Sequence, residues 1–137
     1  IPSSAASDVY KRQILYKIAV KFKKRNLKSK SRSYARKALK NRPSMGKAYM
    51  LIASLYAASA NDCGNTQFEK RAVYWLAAKT ARKAATVDSG VKKTALKLAA
   101  SYEGRAPSKT DIFTEGRAGE TISFSCWINS SVTVPQL

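Results

Sequence analysis

One residue pattern occurs three times in this chain, and it constrains the fold more than any other feature. Leu15, Ile18, Ala19 and Phe22 stand at i, i+3, i+4 and i+7; Tyr49, Ile52, Ala53 and Tyr56 repeat that spacing 34 residues later. Ala95, Leu98, Ala99 and Tyr102 repeat it again, 46 residues further on. On a helix of about 3.6 residues per turn, each set lies on one face. Its small member leaves room for a second helix to come close, and the larger ones fill the space on either side. A second series agrees: Ser31, Ala35, Ala38 and Pro43 recur as Ala77, Ala81, Ala84 and Ser89, also 46 residues apart. Since 46 is 34 plus 12, twelve extra residues are expected at the turn around Cys63.

Local signals turn these faces into elements. Helices are expected over 14–26, 31–40, 46–60, 67–87 and 91–103. A turn is expected at 27–30, Pro43 ends the second helix, and Asn61–Thr66 breaks the third from the fourth. After Gly104 the composition shifts. Ser108 or Thr110 is placed to cap one helical turn at 111–115, and 121–128 and 132–134 carry the β-branched and aromatic residues of a short hairpin. A lone hairpin is marginal in water, so Ile122, Phe124, Trp127 and Ile128 are expected to pack against the last helices. The fold class expected is all-α: a superhelix of about five helices in hairpins, closed by a small C-terminal β-hairpin.

A period of 34, a large–large–small–aromatic first helix, a small–small second helix and a closing proline resemble the tetratricopeptide repeat over about 14–106. The stretches NDCGNTQFEKRAVYWLAAKTARKA and SYEGRAPSKTDIFTEGRAGETISFSCWINSSVTVPQL look like the C-terminal end of a tetratricopeptide family of Bacteroidetes. In that family the repeats finish in a small β element with a Cys-Trp-Ile motif, matched here by Cys126, Trp127 and Ile128 within 107–137. The resemblance implies a non-enzymatic scaffold for a protein or peptide partner, exported to the periplasm or cell envelope. The first thirteen residues, IPSSAASDVYKRQ, resemble a translated sequencing adapter, which would make 1–13 a non-native or disordered leader with the natural start upstream.

Repeat scaffolds of this type bind along the concave face made by the first helix of each pair. The residues expected there are Lys17, Lys21, Lys47, Met50 and Ser54, with Tyr74, Lys79 and Arg82 as further exposed contacts. The three repeated faces, Tyr49 and Tyr56 included, are expected to pack rather than to bind. Charge supplies a competing reading. The net charge is +18, no Asp or Glu occurs between Val9 and Asn61, and fifteen Lys or Arg lie between Lys11 and Lys47. A basic α-solenoid that binds nucleic acid or another polyanion is the alternative, and a purely structural cap of a longer array is a third.

Chemistry is little represented. The chain has no histidine, which excludes histidine-based triads and shuttles; two cysteines cannot complete a four-ligand zinc site. No phosphate-cradling glycine loop occurs, and the eight acidic residues form no convincing catalytic pair. No enzyme, metal, cofactor or small-molecule substrate is expected, and no apolar run reaches the ~20 residues that span a bilayer. Cys63 and Cys126 either join the inserted loop to the hairpin or remain two thiols, with Cys126 packed beside Trp127.

Overall fold

The computed structural model describes the backbone of residues 3–137 and the side chains of 9–137. The first two residues of the expected leader lie outside that range. Among the described residues are six α-helices and one antiparallel two-stranded sheet: α1 Ser3–Lys24, α2 Lys28–Asn41, α3 Gly46–Ala57, α4 Gln67–Val87, α5 Lys92–Glu103, α6 Lys109–Glu115, β1 Thr121–Phe124 and β2 Ser130–Thr133. The helix expected from residue 14 starts at Ser3, so the stretch read as a leader is continuous with α1.

The first turn falls earlier than expected. α1 stops at Lys24, and Asn26 takes a left-handed conformation with φ 59°. The N–H of Leu27 then bonds the Phe22 carbonyl and that of Asn26 the Lys23 carbonyl, both at 2.9 Å. Asparagine tolerates this conformation better than most residues, so it serves as the helix stop. Lys28, Ser29 and Lys30, expected in a turn, begin α2 instead.

The 46-residue offset reappears in the backbone. Arg42 and Asp88 end α2 and α4 at φ,ψ of −145°,94° and −140°,100°. Their N–H groups bond the carbonyls of Ala38 and Ala84, which are themselves 46 apart in sequence. Ala35, Ala38, Ala81 and Ala84 are completely buried, as are Ser31, Ala77, Ala19 and Ala53. Alanine at these places lets helices lie close: α1 packs along α2, α3 against α2 and α4, and α5 against α4 with a smaller contact to α3.

The twelve extra residues are not all loop. The α1–α2 connection is three residues, 25–27, whereas the α3–α4 connection is nine, 58–66, with a 3-10 turn at Ala60–Asp62. The rest lengthens α4 at its start, where Thr66 caps the helix by accepting from the Glu69 N–H at 3.2 Å. These added turns anchor the C-terminal region. Arg71 pairs with Asp111 at 3.0 Å and donates to the carbonyls of Arg105 and Ala106; Glu69 pairs with Arg117 at 3.0 Å.

In that region Ser108, rather than Thr110, caps α6 in a reciprocal box with Asp111. β1 and β2 pair in the register Ile122 to Val132 and Phe124 to Ser130. Ile122, Phe124, Ile128, Val132 and Val134 are buried. The hairpin rests on α4, but Trp127 reaches past the last helices to α3 and α2. Cys63 and Cys126 form a disulfide, Cα–Cα 5.4 Å, tying the lengthened connection to the hairpin.

Candidate binding groove

Helix α3 has two open flanks. One carries the expected binding residues of α3. Ser54 accepts from Lys23 Nζ at 2.8 Å, and Lys47 Nζ sits 4.5 Å from the centre of the Tyr16 ring. Burial raises the Tyr16 phenol above its ordinary pKa. Met50 is half-buried against the small cluster of Ala84, Ala85 and Ala95. Lys17 and Lys21 do not join this group. Tyr16 marks the side of α1 that faces α3, and at about 100° per residue Lys17 and Lys21 lie roughly 100–140° around the helix from it. Both are exposed.

The opposite flank opens into a groove. Its floor is α3, through Tyr49, Ile52 and Tyr56; one wall is α2, through Arg36 and Leu39, and the other is α4, through Thr80. This part encloses about 350 Å³. A second part of about 440 Å³ shares Tyr49 and Thr80 and runs along Leu76, Lys79 and Lys83 to Ser130 and Ser131 of β2. The groove exists because α3 separates α2 from α4 while the hairpin crosses only one end. That end is closed by Arg32, which donates to the carbonyls of Ile128 at 2.7 Å and Trp127 at 3.0 Å, and to the Tyr56 hydroxyl at 3.3 Å.

Charge along the groove is of one sign. Arg36, Lys79 and Lys83 are exposed, and none belongs to an ion pair among the described residues. Arg82 pairs with Glu103 of α5. No acidic side chain lines either part of the groove. The aromatic floor therefore lies between cationic walls: apolar at the bottom, positive at the rim.

The residues expected to pack mostly do so. Ala95, Ala99 and Tyr102 are buried, Ile52, Ala53 and Tyr56 likewise, and Ala19 completely. Leu15, Ile18, Phe22, Tyr49 and Leu98 are half-buried. Tyr49 has two roles, since it packs against Ala84 and Ala85 and also forms the groove floor. Of the further exposed contacts, Lys79 and Arg82 line the groove, whereas Tyr74 stacks on Tyr102 at 6.3 Å. Arg36, Thr80, Lys83, Ser130 and Ser131 escaped notice. A signal for part of them was present: the basic pair Arg36-Lys37 recurs as Arg82-Lys83, at the 46-residue offset of the packing series.

Other features are less suited to a site. A concavity of about 380 Å³ lies between the α1–α2 turn, Asp62 and Trp127. Among the described residues no group of three or more His, Cys, Asp or Glu could hold a metal ion. No described helix is long and apolar enough to cross a membrane. In comparisons with known proteins, no family model, no curated protein and no solved structure matches this chain.

Proposed function

We propose that this chain is a non-enzymatic interaction module of the tetratricopeptide type, binding a protein or peptide partner in the groove between α2, α3 and α4. One observation carries the reading: an open groove whose apolar, aromatic floor on α3 lies between cationic side chains of α2 and α4. Such a surface can bury apolar side chains of a partner while charge sets the partner's orientation. The tetratricopeptide assignment draws support from the repeated termination of α2 and α4 at Arg42 and Asp88. The Cys63–Cys126 disulfide favours an oxidising compartment such as the periplasm or cell envelope of a Bacteroidetes-type bacterium.

The test is NMR titration of the labelled chain with display-selected peptides. Saturable shifts confined to α2, α3, α4 and β2, surviving about 0.3 M salt, where the Debye length is under 10 Å, are the expected result. Thr80→Trp, which fills the groove from the half-buried Thr80 position on the α4 wall, abolishes them. Peptides that bind Thr80→Trp as well as the wild type rule the groove out.

A second reading rests on a different observation. The fifteen Lys and Arg of 11–47 enter none of the ion pairs among the described residues; several lie over aromatic rings instead, as Lys30 does over Phe22 and Lys37 over Tyr34. A polyanion ligand would give a salt slope of about −0.9 per phosphate for duplex DNA, and the absence of binding at low salt refutes it. A structural cap draws support from α5, where Thr94, Lys97 and Ser101 are exposed although Ala48, Leu51 and Leu55, 46 residues earlier, are buried. A pure cap leaves the resonances of α3 and α4 unmoved by every peptide.

A further inference from the structure

The groove's charge and dimensions narrow the partner. We infer that it takes a short acidic segment in extended conformation, with one apolar anchor seated between Tyr49 and Ile52 and carboxylates on both sides of that anchor. This rests on the proposed groove and says which peptides the groove selects.

Three observations lead there. First, the cations come from both walls: Arg36 from α2 and Lys79 and Lys83 from α4, with no internal carboxylate partner among the described residues. A chain lying along the floor has positive charge on either side, so acidic residues flanking an anchor reach opposite walls. Second, the floor between the walls is apolar and open, with Tyr49 half-buried and Leu39 and Ile52 bordering the same cavity. An anchor there gains burial that a purely charged polymer cannot. Third, the groove is short. From Leu76 to Thr86 the α4 wall spans ten residues, roughly 15 Å at 1.5 Å per residue. At about 3.3 Å per residue that accommodates four or five residues of extended peptide. Toward the hairpin, Ser130 and Ser131 of β2 border the groove with polar rather than charged residues.

The site differs from the Lys47, Met50 and Ser54 flank of α3, which faces the other way and whose lysines are occupied with Tyr16 and Ser54. It shares Arg36 with the basic stretch 11–47 on which the polyanion reading rests, but the unpaired charge of α1 lies outside the groove.

The test uses the full, oxidised chain and fluorescein-labelled pentapeptides with two acidic residues on each side of a phenylalanine. The companion peptides carry amides in place of the acids, or glycine in place of phenylalanine. Fluorescence anisotropy is read for the wild type, for K79E/K83E, for Thr80→Trp and for K17E/K21E, which removes the same charge from a distant face. Expected are a tenfold or greater loss of affinity for K79E/K83E, for Thr80→Trp and for each companion peptide, with less than a threefold change for K17E/K21E. Equal losses for K79E/K83E and K17E/K21E would show attraction to overall charge and overturn the inference. So would a single-stranded oligonucleotide of equal charge that displaces the peptide and keeps its affinity in Thr80→Trp. If the amide peptides bind as tightly as the acidic ones and Thr80→Trp removes both, the groove stands and its acidic selectivity falls. If no peptide binding is sensitive to Thr80→Trp, both fall.

Discussion

Arg32 of α2 and Trp127 of the hairpin are joined twice: Nη2 donates to the Trp127 carbonyl at 3.0 Å, and the guanidinium carbon lies 4.8 Å from the centre of the indole. They are 95 residues apart in sequence. The same guanidinium bonds the Ile128 carbonyl and the Tyr56 hydroxyl, and no carboxylate neutralises it among the described ion pairs. An arginine fork fits two adjacent carbonyls; a lysine, with a single point of charge, does not.

Arg32→Ala therefore leaves two carbonyls without their donor and removes a cation from two aromatic faces. Hydrogen bonds to charged groups contribute about 1.5–3 kcal/mol each, and partial water access lowers the sum, so a loss of about 2–4 kcal/mol is expected. Arg32→Lys recovers less than half of it. Urea denaturation with an unchanged m-value checks both; a loss under about 0.5 kcal/mol for Arg32→Ala would refute the tie, since surface substitutions stay within that range.

Reduction of Cys63–Cys126 is expected to act on the same hairpin from its other side. The bridge closes a loop of 63 residues, which in the chain-entropy account is worth about 4 kcal/mol. The reduced chain should melt well below the oxidised one. The attachment left after reduction includes Arg32 and Trp127 Nε1, which donates to Ser59 Oγ at 2.9 Å. The Cys63→Ala/Cys126→Ala chain should melt like the reduced wild type; identical melting of oxidised and reduced protein would mean the bridge contributes nothing.

These two ties show where sequence reasoning reached and where it stopped. The helical hairpins were legible because alanine recurs at fixed spacing, and spacing is what a helix face reads. The fourth helix was placed at its observed bounds because the turn-rich stretch 61–66 precedes it and Asp88-Ser89-Gly90 follows it. The disulfide was legible as one of two outcomes for two cysteines. Arg32 was not legible, because its partners are backbone carbonyls and carry no residue signature. The groove was missed for a related reason. It depends on how far α2 and α4 stand apart, a tertiary quantity, and only the Arg36-Lys37 and Arg82-Lys83 recurrence hinted at it. Lys17 and Lys21 were grouped with Met50 as neighbours of the packed residues, yet one period of 34 later their places fall to Leu51 and Leu55, and helix rotation turns them away.

Asp88 should prove the hinge pin between α3 and α5. Its carboxylate accepts from the N–H of Gly46 and of Gly90, both at 3.0 Å, so one side chain caps two elements. Asp88→Ala is expected to cost about 1–2 kcal/mol, the range of a lost cap, and Asp88→Asn about half that. Gly46→Ala tests the same contact from the other partner, since a Cβ there would lie 2.7 Å from Asp88 Cβ. Amide exchange should accelerate at Gly46 and Gly90 in Asp88→Ala; unchanged exchange at both would sink the assignment.

Asp111 gives the chain an acid-sensitive corner. Its carboxyl is held below the ordinary carboxylate value, first by the Ser108 backbone N–H at 2.8 Å, then by the Ser108 hydroxyl, with Arg71 adding to the effect. A carboxylate whose folded pKa is depressed contributes stability that is fully present above its unfolded value, about 3.9 for aspartate. That contribution drains as pH falls through the lower folded value. Protonation removes the acceptor for Ser108 and the partner of Arg71, so the start of α6 and its attachment to α4 loosen together. A carboxyl-carbon NMR titration should give Asp111 a midpoint below the ordinary aspartate value of about 3.9. Asp111→Asn should flatten the acid limb of the melting profile below about pH 4, the range in which a free aspartate protonates. A midpoint for Asp111 at the ordinary value would mean that the capping box is not held in solution.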